Sequence, residues 1–353
     1  MHSFTYSANA ARVIFGYDSL SRIREEIERL GCARVLVLST AGHRSLAERV
    51  AGTLGSIAKG IFDRTVMHVP IETALAARAE ARRIEADGIV AIGGGSTVGL
   101  AKAIALEIAL PIVAIPTTYA GSEATPIYGL TEGGIKRTGR DAKVLPKTII
   151  YDPSLTLELP PLLSIASAMN AIAHAGEGLY AADHNPVTDL LAVEGIRAIA
   201  AAMPRIAAHS QDRDARSDCL YGAWLCGTVL GSVAMALHHK LCHAIGGAFG
   251  LPHAETHGCL LPHTLAYNAS CAKEAMMAIA RAIGRPSAAS GLYDLARESC
   301  AALALREIGL REDQIDRAVD LALASPYPNP RPLEREALRS LLVNAWAGER
   351  PSD

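Results

Sequence analysis

The chain has 353 residues, with 34 Lys and Arg against 36 Asp and Glu, a formal net charge of −2, and half of its residues are hydrophobic. So even a balance leaves no basic footprint for nucleic acid or an anionic membrane surface. No apolar run approaches the ~20 residues of a membrane span, and the segment Met1–Tyr6 lacks a basic-then-apolar secretory signal. Seven scattered cysteines, an odd number with no CxxC pair, argue against a disulfide framework or a thiolate zinc site. These features predict a cytoplasmic enzyme of two domains, with no nucleic-acid or membrane partner.

Up to about residue 152, β-branched runs alternate with amphipathic stretches. Arg34–Leu38, Thr65–Val69, Gly88–Ile92 and Pro111–Ile115 are predicted as buried strands, and 46–54, 74–85 and 98–106 as helices. That alternation implies a mainly parallel sheet covered by helices on both faces. Gly93-Gly94-Gly95-Ser96 follows one strand and opens a helix. Its glycines let the backbone approach a ligand, and a helix N-terminus offers N–H groups to a phosphate. It is neither GxGxxG nor a Walker loop. Thr117, Thr118, Gly121 and Ser122 follow the next strand, where open parallel sheets bind ligands. A tight turn alone would account for either loop taken singly.

After Asp152-Pro153 the strand signal stops, and Leu159-Pro160-Pro161 reads as a linker. The predicted helices run over 164–180, 187–206, 213–246, 255–265, 272–284, 290–307, 311–324 and 333–347. The fold class is therefore an α/β dinucleotide-binding domain over 1–155 followed by an all-α domain over 156–353. Six of the twelve histidines fall between 238 and 263: His238, His239, His243, His253, His257 and His263. His239 and His243 are four apart on a helix predicted to be buried from its small residues and to be capped by Gly246-Gly247. Asn170 and His174 form another such pair. Burying imidazoles without partners is costly, so the cluster predicts a functional site, suited to a divalent metal or to proton transfer.

Taken together, Phe15-Gly16, the Gly93–Ser96 loop, Pro116-Thr117-Thr118, Gly121-Ser122-Glu123, Asp152-Pro153, Ala168–His174, His239–Gly246, Leu251-Pro-His253 and Leu261-Pro-His263 resemble the iron-containing alcohol dehydrogenase family over essentially the whole chain. The resemblance implies the dehydroquinate synthase-like architecture, a homodimer, and an active site in the cleft between the two domains. In metal-dependent members an aspartate and three histidines hold iron or zinc, at places matching Asn170, His174, His239 and His253. Asn170 departs from that set, since an amide oxygen is neutral and a weaker donor. The departure, with Lys136–Arg140, Leu237–His243, Leu251–His257 and Tyr327–Arg331, resembles the maleylacetate reductase branch.

That resemblance implies reduction of a conjugated dicarboxylate by NADH or NADPH in aromatic-compound degradation, with no metal required. His243 is then expected as proton donor and His253 as stabiliser of the enolate oxygen. Asn170, His174, His239 and Lys240 would contact substrate, with Arg137, Arg140 and Arg331 as further cations for its carboxylates. Ser39 joins the two loops at the cofactor, and its lack of charge leaves NADH and NADPH open. The alternatives are a metal-dependent alcohol dehydrogenase that tolerates Asn170, a lyase resembling dehydroquinate synthase, and a non-catalytic nucleotide sensor. If any metal binds, the degenerate site at residues 170, 174, 239 and 253 would hold it.

Overall fold

The computed structural model describes residues 4–9, 11–133, 135–324 and 326–352, the side chains of 135 and 136 excepted. Lys136 of the Lys136–Arg140 stretch thus lies outside the described side chains, as do residues 1–3 at the start. The chain forms two compact units that divide after Leu159, the second also taking in the first residues of the chain.

In the first unit the strands are β1 (Arg12–Phe15), β2 (Val35–Leu38), β3 (Ala58–Phe62), β4 (Gly88–Gly93), β5 (Ile112–Pro116), β6 (Ile127–Glu132), β7 (Ile135–Arg140) and β8 (Thr148–Tyr151). Six of them build one sheet in the order β1-β8-β5-β4-β2-β3, every pairing parallel, and β6 and β7 form a separate antiparallel pair. Side chains alternate across the sheet. Leu36, Leu38, Ile89 and Ala91 pack under helices α3 (Ile71–Arg83) and α4 (Gly95–Ile108). Val35, Val37, Val90 and Ile92 pack under α1 (Ile23–Arg29) and α2 (Arg44–Leu54). Each of the Val, Leu and Ile side chains among these contributes about 1.5–3 kcal/mol on full burial. One expected strand is corrected. Thr65–Val69 is a loop whose His68 and Val69 are left-handed, with φ of 64° and 48°; Val69 enters the core, and its carbonyl accepts from the Thr131 N–H at 3.1 Å beside an isolated bridge of Pro70 to Thr131. The edge strand beside β2 is Ala58–Phe62, where Lys59 and Gly60 interrupt the apolar pattern.

In the second unit the chain runs α5 (Pro161–Gly178), α6 (Pro186–Ala208), α7 (Arg213–Ser232), α8 (Leu237–Phe249), α9 (His253–Asn268), α10 (Lys273–Ala282), α11 (Ala289–Glu298), α12 (Ile315–Leu323) and α13 (Arg335–Ala347), with no strand among the described residues. Asn185 opens α6 with a capping box to Thr188. α6 and α7 meet backbone to backbone: a Cβ added to Gly222 would lie 2.8 Å from the Gly195 carbonyl oxygen. The single helix expected over 213–246 is two helices, α7 and α8, bent by 96° at residues 233–236. α8 ends at the left-handed Gly250, not at Gly246-Gly247. The helix expected over 290–307 stops at Glu298, because Cys300 adopts a φ of 61°. Among the described residues, no single helix is long and apolar enough to cross a membrane.

Candidate active site

The two polar loops and Ser39 all follow the carboxyl ends of β2, β4 and β5. Gly93 has a φ of 149°, and a Cβ there would lie 2.5 Å from Thr97 Oγ1. A Cβ on Gly94 would touch Thr118 at 3.1 Å, and the Thr117 N–H donates to the Gly93 carbonyl at 3.1 Å. The loops therefore pack on each other, and glycine is needed there for closeness as well as for backbone shape. Gly95 and Ser96 open α4, and Gly121 sits in the left-handed region before Ser122. The hydroxyls of Ser39, Thr97 and Thr117 are buried with no hydrogen-bond partner. Orphaned hydroxyls beside a glycine cradle are what a polar ligand with phosphate and ribose oxygens would satisfy.

The second unit gathers the histidines of α5, α8 and α9. Glu177 of α5 is fully buried. Its carboxylate accepts from the backbone N–H of His238 at 2.7 Å, from that of His239 at 3.2 Å, and from His239 Nδ1 at 2.5 Å. The first turn of α8 has no cap of its own, so Glu177 supplies acceptors and negative charge to the unpaired N–H groups there. A carboxylate only accepts, so His239 carries its proton on Nδ1. His239 Nε2 must then accept from His174 Nδ1, 2.8 Å away. A second chain runs alongside. The Thr264 hydroxyl has carbonyl acceptors on Leu260 and Leu261, so it accepts from His238 Nδ1 at 3.0 Å, and His238 Nε2 accepts from His257 Nδ1 at 2.9 Å. His257 Nε2 and Asn170 Oδ1 are left buried without partners.

Burial, followed by the neighbouring imidazoles, holds the pKa values of His238 and His257 well below the ordinary range. Burial lowers His263 to about 4. Towards solvent, the His253 ring lies 4.5 Å from that of His257 and stacks at 6.2 Å on the exposed His243. The imidazoles thus form a gradient from wet to dry.

A metal cage does not fit this arrangement. His174 and His239 spend facing ring nitrogens on each other, and Asn170 brings no charge. Among the described residues, the His, Cys, Asp or Glu ligand atoms that gather within 4.8 Å belong to His238, Cys242 and His257 instead. Their contacts are accounted for as hydrogen bonds, and burial keeps Cys242 a thiol by raising its pKa well above the ordinary value. Of the expected cations, half-buried Lys240 lies 5.5 Å from the Tyr327 ring centroid, and Arg331 stacks on Tyr267 at 4.3 Å. Arg137 pairs with Glu132 on the surface.

Residues 10–153 match the iron-containing alcohol dehydrogenase family, and residues 164–346 match its C-terminal domain. The chain belongs to the iron-containing alcohol dehydrogenase family. Within it, the chain falls in the maleylacetate reductase branch. It is 59% identical over 352 residues, the whole of both chains, to a maleylacetate reductase of Burkholderia cepacia. The crystal structure of the Agrobacterium tumefaciens maleylacetate reductase superposes with a TM-score of 0.96 at 48% identity, covering 99% of this chain and 100% of that one. A Ralstonia eutropha JMP134 structure, described as a candidate alcohol dehydrogenase, superposes at 0.98 with 61% identity over the full length of both chains.

For a family member, the structure brings Asn170, His174, His239, His243 and His253 into one neighbourhood of the helical unit. It places Ser39, Gly93–Ser96 and Thr117–Ser122 along one edge of the sheet. Two hydrogen-bond partners of these histidines were not among the sequence expectations, Glu177 and Thr264. Asn170, His174 and Glu177 stand at i, i+4 and i+7 on one helix face, and that spacing is the signal that could have found the carboxylate.

Proposed function

We propose that the protein is an oxidoreductase that reduces the C=C bond of maleylacetate to give 3-oxoadipate, using NADH or NADPH and no metal, in the breakdown of aromatic compounds. The observation that carries this reading is the Glu177–His239–His174 chain beside Asn170, which puts mutually bonded imidazoles and a neutral amide at the places of the family's metal ligands. The identity to maleylacetate reductases supports it further.

When bound, the nicotinamide supplies a hydride to the alkene carbon β to the ketone. Negative charge then develops on the ketone oxygen, and the α carbon takes a proton. His253, half-buried, is assigned as hydrogen-bond donor to that oxygen, and exposed His243 as donor of the proton, replenished from solvent. Asn170 offers an amide to a dianionic substrate without the repulsion of a carboxylate. Gly93–Ser96 and the helix behind them are assigned to the pyrophosphate, Ser39 to the adenosine ribose, and Thr117, Thr118, Gly121 and Ser122 to the nicotinamide side.

The deciding experiment is steady-state NADH oxidation with maleylacetate, using protein stripped by chelator and checked for residual metal. Full turnover is expected. Activity lost on stripping and restored by iron or zinc would mean that Asn170 still helps to hold a cation, and no turnover in either state, with alcohols or aldehydes active only with metal, would favour the metal-dependent dehydrogenase. Gly93→Ala is a second check. The added Cβ meets Thr97 Oγ1 and the backbone conformation is strained, so NADH affinity is expected to fall at least about tenfold, measured by fluorescence titration. An unchanged affinity would remove this loop from the cofactor site.

A further inference from the structure

Lys102, two turns into α4, is fully buried. Its Nζ lies 2.6 Å from the carbonyl oxygen of Ser122, 2.8 Å from that of Thr125, 2.9 Å from Thr125 Oγ1 and 2.7 Å from the carbonyl oxygen of Ile127. Four oxygens surround three ammonium protons, and none of the four is a carboxylate. Glu123, also buried, acts on the charge through space while its Oε1 accepts from the Tyr151 hydroxyl at 2.9 Å. Burial lowers the Lys102 pKa to about 7. A buried cation met mainly by neutral dipoles is a poor stabilising device, since an apolar side chain of the same volume generally serves the fold as well or better. What the ammonium does provide is geometric. It binds three carbonyls of a single irregular segment and thereby fixes that segment's path.

The segment is the continuation of the second polar loop, and α4 is the helix that opens with Gly93–Ser96. We propose that Lys102 is a positioning residue for dinucleotide binding, clamping residues 122–127 to α4 so that the Gly93–Ser96 and Thr117–Ser122 loops hold one fixed spacing. The buried, unpartnered hydroxyls of Thr97 and Thr117, one from each side of the clamp, are the groups that such a spacing would present together. The inference rests on the reading that these loops take NADH or NADPH.

The test is NADH titration of the full-length protein by fluorescence, alongside KM values for both substrates. In Lys102→Met the dissociation constant for NADH is expected to rise about tenfold or more, the scale of one lost charge-assisted hydrogen-bond set, with the KM for maleylacetate within about twofold of wild type. A purely structural lysine would lower the amount of active protein and move neither constant. In Lys102→Ala, added methylammonium is expected to recover NADH affinity while tetramethylammonium is not. Should Lys102→Met fail to fold, Thr125→Val, which removes one of the four oxygens, carries the test with a rise of about threefold. NADH binding equal to wild type in folded variants would overturn the clamp alone. A wild-type protein that bound neither NADH nor NADPH would overturn the dinucleotide reading itself.

Discussion

Glu177→Gln is expected to lower kcat at least about tenfold, short of the ~10⁴-fold lost when the carboxylate orienting a catalytic base becomes an amide, because His239 is assigned to the substrate site and not to the proton transfer. The loss follows from hydrogen-bond direction rather than from size. An amide keeps one acceptor for the His238 N–H, but its NH2 then faces His239 Nδ1, which already carries a proton in the native chain. The flipped amide would instead set its NH2 against the His238 N–H, and in the first orientation the ring contact is relieved when His239 moves its proton to Nε2. His174 Nδ1, 2.8 Å away, must then become the acceptor, so the whole chain reverses. Imidazole ¹⁵N shifts would record the reversal directly. A variant with native shifts and undiminished kcat would show that Glu177 serves only as a cap on α8. The capping loss itself is expected to cost about 1–2 kcal/mol of stability, measured by urea unfolding. That cost lowers the folded fraction but leaves the shifts of the folded molecules unchanged.

The same residue shows what the sequence could and could not disclose. The inner strands Val35–Leu38, Gly88–Gly93 and Ile112–Pro116 are continuous apolar runs with helices between them, so period and composition agree. Ala58–Phe62 pairs at the edge with a lysine and a glycine inside it, and position in the sheet, not propensity, makes it a strand. The break after Ser232 carries no proline or turn signature. It exists because a carboxylate from another helix satisfies the N–H groups that open α8, and that partner lies about sixty residues earlier in the chain. The histidine cluster was legible because imidazoles are rare on small-residue helices. Which nitrogen of each ring carries the proton was not, because that is fixed by Glu177 and Thr264, whose approach is a tertiary event. Lys102 was likewise silent: at the sequence level it reads as one lysine on an amphipathic helix.

Acid is expected to destabilise the fold well above the range where carboxylates titrate. An unfolded histidine takes up its proton near pH 6.5, whereas His263 in the folded protein does so only near 4. Between those values the unfolded chain binds more protons, so stability falls as pH drops through 6.5 and the loss is complete below 4. At pH 5 His263 alone accounts for about 2 kcal/mol. His238 and His257 act in the same direction, their folded values being lowered by burial and by their neighbours' charge. Glu123 works the opposite way, because burial raises its carboxyl and the folded chain gains a proton on acidification. His263→Leu isolates the first contribution. His263 Nε2 has no partner to lose, so the variant is expected to shed about 2 kcal/mol less than wild type between pH 7 and pH 5, read from urea unfolding at both values. Equal losses in the two proteins would mean that His263 is protonated in the folded state at pH 5. The buried imidazoles that set the acid limit of the fold, His238, His257 and His263, are thus distinct from His243 and His253, to which the proposed chemistry assigns the donor roles.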